Sequence, residues 1–288
     1  MKLGVIGGSG IYEIDGVQDG KWININTPFG NPSDQIYTGS LNDVAVAFVP
    51  RHGRGHVHSP SNVPYLANIC ALKMLGVTDI IALSACGSLK EDLKPGDFVL
   101  VDQFIDRTFK REKSFFTRGC VAHVSLAEPV CNRIVGLCKQ AMASLKLKYH
   151  STGTYITMEG PQFSTKAESL LYREKWGCDV IGMTNMPEAK LAREAEICYA
   201  SIAMVTDFDC WHPDHDNVEV SDIISTLAQN ASSAKNLINQ VTKQISEERE
   251  QCEHGCDRAL EYAIITDQSK ISLGEKKMLE PIAGRLLT

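Results

Sequence analysis

Short, almost wholly apolar runs recur along this chain and set its architecture: LGVIG (3–7), VAVAFV (44–49), DIIALS (79–84), DFVLV (97–101), TYITM (154–158), DVIGM (179–183) and ICYASIAMV (197–205). A strand with one face in water alternates, whereas runs that are apolar on consecutive positions fit strands covered on both faces. The intervening NVPYLANICALKMLG, which ends on a glycine C-cap signal at Gly76, together with AEPVCNRIVGLCKQAMASLKL and PEAKLAREAE, predicts helices. This alternation predicts an α/β fold with a mixed or parallel central sheet flanked by helices. Positions 223, 227, 231, 234, 238, 241 and 245 step by three and four and are all apolar, which predicts one stripe of a long helix packed on the sheet. After SEEREQ the composition turns polar. We therefore divide the 288 residues into a main domain, 1–248, and a C-terminal appendage, 249–288, that packs on the same domain with short helices of its own.

Charge and composition narrow the partners. A net charge of −6 without a basic block argues against nucleic acid, although a local cationic pocket for a small anion is compatible with it. No apolar run approaches the roughly 20 residues of a membrane helix. The start, MKLGVIGGSG, reaches glycines too early for a signal peptide, so a cytoplasmic protein without membrane contact is expected. Most of the ten cysteines, such as Cys70, Cys86, Cys138 and Cys198, sit among apolar residues, as reduced core thiols do. CEHGC, 252–256, admits a zinc half-site or a redox pair, but it offers three ligands at most. Two thiols four apart also share a helix face without any metal, and that reading is favoured here.

Three strand ends carry residues suited to an anion. GVIGGSG (4–10) offers backbone N–H groups unobstructed by side chains. It is not a dinucleotide fingerprint, because after Gly8 and Gly10 the third glycine is replaced by Glu13, and it lacks the Gly-Lys-Ser/Thr of a Walker loop. PRHGRGH (50–56) adds Arg51, whose planar fork matches phosphate, and His52. LSACGSL (83–89) adds a hydroxyl and small residues. Any one of these segments alone also reads as a turn, but together they fit the ligand crevice of an open α/β sheet. A fourth strand end, VTDFDCW (205–211), places Asp207 and Asp209 at i and i+2, where both side chains face one spot.

IGGSGIY, TPFGNPSD, PRHGRGH, ACGSL, PGDFVLVDQFIDRT, EGPQFST, IGMTNMPE and VTDFDCW together resemble the 5'-methylthioadenosine phosphorylases of the trimeric purine nucleoside phosphorylase superfamily, from residue 3 to about residue 245. The resemblance implies a pentosyltransferase that splits 5'-methylthioadenosine with phosphate into adenine and 5-methylthioribose 1-phosphate, a step of purine and methionine salvage. Phosphate is a co-substrate, and no metal or organic cofactor is implied. By motif, Ser9, Arg51, His52, Ser84 and Ala85 hold phosphate, with Thr184 on its sugar side. Met183 lies beside the ribose and Phe163 against the base. Asp207 serves N7 of the purine as the acid, and Asp209 accepts from the exocyclic amine. Val220 and Ile224 form an apolar wall for the methylthio group, although their spacing also suits the core stripe. His123, in VAHVSLAEP, resembles a histidine lent by a neighbouring subunit, which implies a homotrimer.

The chemistry gives these residues two tasks. Adenine leaves poorly as an anion, so an acid near N7 accelerates departure, and two neighbouring carboxyl groups tend to share the proton that this needs. An anion held below the anomeric carbon stabilises the cationic sugar. Within the family, the alternative is a methylthioinosine or 6-oxopurine nucleoside phosphorylase, but a 6-oxo group wants a donor and two aspartates favour the 6-amino purine. Outside it, Asp-x-Asp also holds divalent metal in nucleotide-sugar glycosyltransferases. A non-catalytic nucleotide-binding module is the third reading.

Overall fold

The computed structural model describes residues 2–8, 10–11, 14–212, 220–245, 249 and 251–287, with 220–224 described for the backbone alone. In chain order the strands are β1 (Lys2–Gly7), β2 (Gln18–Ile23), β3 (Ile36–Leu41), β4 (Val44–Pro50), β5 (Asp79–Ser88), β6 (Phe98–Val101), β7 (Gln103–Asp106), β8 (Tyr149–His150), β9 (Thr154–Thr157), β10 (Val180–Gly182) and β11 (Cys198–Phe208). The helices are α1 (Tyr65–Met74), α2 (Asn132–Ser144), α3 (Lys166–Glu174), α4 (Asn185–Glu194), α5 (Val220–Gln244) and α6 (Leu273–Ala283).

All of these strands join one mixed sheet, as the sequence predicts. Its main path runs β2-β3-β4-β1-β5-β10-β9-β7, and β11 adds a branch between β5 and β6, with β8 beyond. The parallel β4-β1-β5-β11 centre is apolar on consecutive positions because helices cover both its faces. Ile69 and Leu72 of α1 pack with Leu191 of α4 and Leu279 of α6 on one side. On the other, α2 buries Ile134, Cys138, Ala141 and Met142, and α5 buries Ala231, Ala234, Ile238 and Val241. Both sets recur at helical spacing. The α5 stripe therefore packs as expected from 231 to 241, while Leu227 turns toward a cleft.

The chain after α5 is built into the same two cores. Leu260, Ala263, Ile271, Leu279 and Ile282 pack with α1 and α4, and Cys252 and Cys256 with α2 and the sheet. One expectation is corrected here. CEHGC is not a helix face: Gly255, at φ +63°, makes a left-handed turn between its cysteines. Among the described residues no helix is long and apolar enough to cross a membrane.

Candidate active site

The cleft arises from a break in pairing at the middle of the sheet. β11 runs beside β5 along its length, from Cys198↔Asp79 to Phe208↔Ser88. On the opposite edge of β5, β1 pairs as far as Ala82, and β10 joins only at Gly87. That edge opens over residues 83–86, and Ser84, Ala85 and Cys86 line a cleft of about 250 Å³ instead of a ladder. This is where an open α/β sheet offers its ligand site. Arg51 and His52, just past β4, Phe163, Met183, Thr184, Asp207 and Asp209 line the same cleft. Gly8 represents the glycine loop, whose Ser9 lies outside the described residues, as do the side chains of Val220 and Ile224. His123 is exposed and its backbone pairs with Ala263, so it serves no wall of this chain's own cleft.

At one end stand the two acids. A bulge between Val205 and Asp207 re-aims the end of β11. Asp207 accepts from Thr206 Oγ1 at 2.7 Å, and that hydroxyl also reaches the Cys86 carbonyl. Asp209, buried, accepts a short hydrogen bond from Ser169 Oγ at the first turns of α3. Burial is the main force lifting the Asp207 carboxyl, to about 6; the Thr206 hydrogen bond opposes it and the charge of Asp209 adds to it. Burial also raises Asp209, against the Ser169 bond. Each acid thus has its own hydroxyl partner; desolvation is the largest cause of the rise at Asp207, and the like charge of Asp209 adds to it.

Gly87 makes this pair possible. A Cβ there would lie 3.0 Å from Asp207 Oδ1, 3.2 Å from Ile181 Cγ2 and 3.3 Å from Asp209 Cβ. Gly87→Ala is therefore expected to displace both carboxyl groups by a few tenths of an ångström and to lower turnover roughly 10- to 100-fold. Steady-state kinetics beside a melting curve checks this; unchanged turnover in the folded variant contradicts it.

At the other end, hydroxyls gather beside the Arg51 guanidinium. Ser84 Oγ lies 3.1 Å from the Tyr155 hydroxyl and 3.4 Å from Thr184 Oγ1; Thr184 stands at the N-cap position of α4, but its hydroxyl makes no capping bond. Arg51 is fully buried, and its fork is already engaged: Nε and Nη2 donate to Glu188 at 2.8 and 3.0 Å, and Nη1 donates to the Leu83 carbonyl at 2.9 Å. Burial alone would lower its pKa, but the charge and hydrogen bonds of Glu188 keep it protonated. Of its five N–H donors two remain for an anion, fewer than the sequence suggests. His52 Nδ1 lies 2.8 Å from the His58 carbonyl, which only accepts, so this nitrogen carries the proton and Nε2 is the acceptor. Burial pushes its pKa down to about 4, the ring is neutral near pH 7, and it stacks on His56 at 4.2 Å.

Between the ends, Met183 lies over Gly160, where a Cβ would come within 2.5 Å of its sulfur. Arg111 fixes this region by donating to the carbonyls of Met183, Met186 and Glu159 at 2.6, 2.7 and 2.8 Å. Sequence reasoning missed Arg111, Glu188, Ser169 and Thr206. Ser169 and Glu188 meet their partners across 40 and 137 residues of chain, and no local spacing announces such contacts. Thr206 was next to a chosen acid and could have been noticed there.

Residues 2–243 match the model of the phosphorylase superfamily. The chain belongs to that superfamily. Over 285 residues it is 60% identical to the S-methyl-5'-thioadenosine phosphorylase of Cereibacter sphaeroides, covering 99% of this chain and 98% of that one. It is 55% identical over 285 residues to the enzyme of the same name from Rhodospirillum rubrum, with 99% and 97% covered. A solved methylthioadenosine phosphorylase from an Antarctic soil metagenomic library superposes with a TM-score of 0.92 at 46% identity, covering 98% of both chains. The adenine complex of the Schistosoma mansoni enzyme superposes at 0.79 with 39% identity, over 86% of this chain and 93% of that one. These phosphorylases extend the resemblance past residue 245, where the motifs alone end it, so the C-terminal segment is shared with its bacterial relatives.

Proposed function

We infer that this phosphorylase converts 5'-methylthioadenosine and phosphate to adenine and 5-methylthioribose 1-phosphate. The carrying observation is the cleft's polarity: a raised, partly buried carboxyl at one end and a hydroxyl and guanidinium cluster at the other, with Met183 between. Asp207 protonates N7 as the C1'–N9 bond breaks, and the bonding electrons leave with the neutral base. Asp209, fixed by Ser169, accepts from the 6-amino group. Phosphate, held by Ser84, Thr184, the spare N–H groups of Arg51 and the backbone at Gly8 and Ala85, supplies the oxygen that closes on C1'. His52, neutral with Nε2 accepting, suits a phosphate that still carries a proton. By motif alone, Ser9 is assigned to phosphate, Phe163 to the base, and Val220 and Ile224 to the methylthio group.

No metal or organic cofactor is needed for this chemistry. Among the described residues, no third histidine, cysteine or carboxylate gathers with Asp207 and Asp209 into a metal-holding group. The methylthioadenosine phosphorylases that this chain resembles give the metal-dependent glycosyltransferase reading no support. We further propose a cytoplasmic homotrimer in which His123 completes a neighbour's pocket. His123 lies on the exposed surface beside a short bridge between Ala122 and Ile264, near the strongly exposed Tyr262 and Ile265. A C-terminal flank of this kind suits a subunit contact. Sedimentation gives the oligomeric state, and His123→Ala is expected to raise KM for the nucleoside in the intact assembly.

Steady-state comparison of methylthioadenosine, methylthioinosine, adenosine and inosine at saturating phosphate tests the substrate. The expected order places methylthioadenosine first and inosine last. Preference for the two 6-oxo substrates would contradict the assignment of the aspartates.

A further inference from the structure

We propose that Cys131, Cys198, Cys252 and Cys256 form a zinc site that fastens the C-terminal segment to the sheet. All four thiols are buried, and their sulfur atoms lie within 4.8 Å of one another. The Cys131 and Cys252 sulfurs are 3.6 Å apart. In a tetrahedral zinc site with Zn–S bonds of about 2.3 Å, the sulfurs stand about 3.8 Å from each other, so a small contraction closes the cage. The cage is too small for a polynuclear cluster, and an all-sulfur tetrahedral set favours zinc.

Three places in the chain meet here. Cys131 stands just before α2, Cys198 opens β11, and Cys252 and Cys256 follow α5. The left-handed turn at Gly255, whose N–H donates to the Cys252 carbonyl, folds the last two thiols toward one another. His254 is not a ligand, because its Nε2 meets Asn132 Nδ2 at 2.8 Å on the exposed side. Four thiolates around Zn²⁺ leave a net negative centre. Arg249 answers it by donating to the Cys198 sulfur at 3.2 Å, while Arg249 and Arg133 both pair with buried Asp79 behind it. Such outer partners orient metal ligands and offset their charge.

The site is structural. Cys198 and Asp207 occupy opposite ends of β11, which at about 3.3 Å per residue separates them by about 30 Å. Metal there reaches no reacting atom, and it would add binding free energy to the stability of the fold.

The test uses the full chain, expressed with zinc and kept reduced. Metal analysis is expected to find one zinc per chain. After stripping, cobalt(II) is expected to give the intense visible and near-ultraviolet bands of a tetrahedral thiolate complex. Chelation is expected to lower the melting temperature reversibly, while the initial rate with methylthioadenosine at 25 °C stays within about twofold. Cys256→Ser is expected to lose the stoichiometric zinc. If that variant does not fold, the cobalt titration of the unaltered chain decides. Two results overturn the proposal: reduced protein that holds no zinc and gives no cobalt–thiolate bands, or two disulfides among these four cysteines in protein purified without reductant.

Discussion

Asp207→Asn is expected to lower kcat/KM for methylthioadenosine roughly 10²–10⁴-fold, the range in which a positioned general acid contributes. The amide keeps the shape and can donate a hydrogen bond, but it cannot transfer a proton to N7. Its donor also suits O6 of a hypoxanthine, so activity on inosine-type substrates is expected to suffer less. A second effect has the opposite sign. The Asp207 carboxyl, at about 6 in the fold against a reference value of 3.8, binds its proton more tightly when folded. Its contribution to stability is therefore fully present below pH 4 and lost as pH rises through about 6. The variant escapes that loss and is expected to be more stable than the parent by on the order of 1–3 kcal/mol above pH 6 and equal to it near pH 4. The same titration predicts that kcat/KM of the parent falls as pH rises past about 6. That limb belongs to Asp207 and not to His52, whose ring remains neutral from pH 5 upward. Phosphate titrates in both proteins, so a limb that survives unchanged in the variant contradicts the assignment.

Glu188→Gln is expected to cost about 3–5 kcal/mol, because it leaves the guanidinium of Arg51 buried without its counter-charge. Both side chains are almost fully buried, at 1% and 2% exposed, and Tyr199 supports Glu188 with a hydrogen bond of 3.0 Å. The melting temperature is expected to fall by on the order of 10 °C, and KM for phosphate to rise as the fork loses its orientation. The double replacement Arg51→Met with Glu188→Leu separates the two roles. Apolar side chains of similar volume in place of a buried ion pair are often neutral or stabilising, so the double variant is expected to recover much of the stability while losing phosphorolysis with the Arg51 guanidinium. Parent-like phosphate kinetics in that variant would show that the pair is only structural.

The central strands were legible because burial on both faces leaves consecutive apolar residues: each of the runs read from the sequence is a strand. The missed strands lack that mark. β2, QDGKWI, is largely exposed, β3, IYTGSL, mixes buried with half-buried positions, β7, QFID, has no buried residue, and β8 is two residues long. α3 and α6 carried a readable signal, the capping boxes Thr165–Glu168 and Ser272–Glu275, which precede stretches too polar to show an apolar stripe at once. Within the site, the residues that touch the cleft were legible through strand-end motifs. The residues that hold those in place were not, since Ser169 and Glu188 reach their partners only through the fold. The cysteine quartet is the extreme case. A five-residue motif shows two of its thiols, and only the sheet brings Cys131 and Cys198 to them.

The most direct test of phosphorolysis is product analysis with methylthioadenosine in the presence and absence of phosphate. With phosphate, adenine and 5-methylthioribose 1-phosphate are expected in equal amounts, followed by absorbance and by phosphorus resonance. Without it, adenine release is expected to stop. Release of adenine at the same rate without phosphate, with free methylthioribose as the second product, would contradict the account.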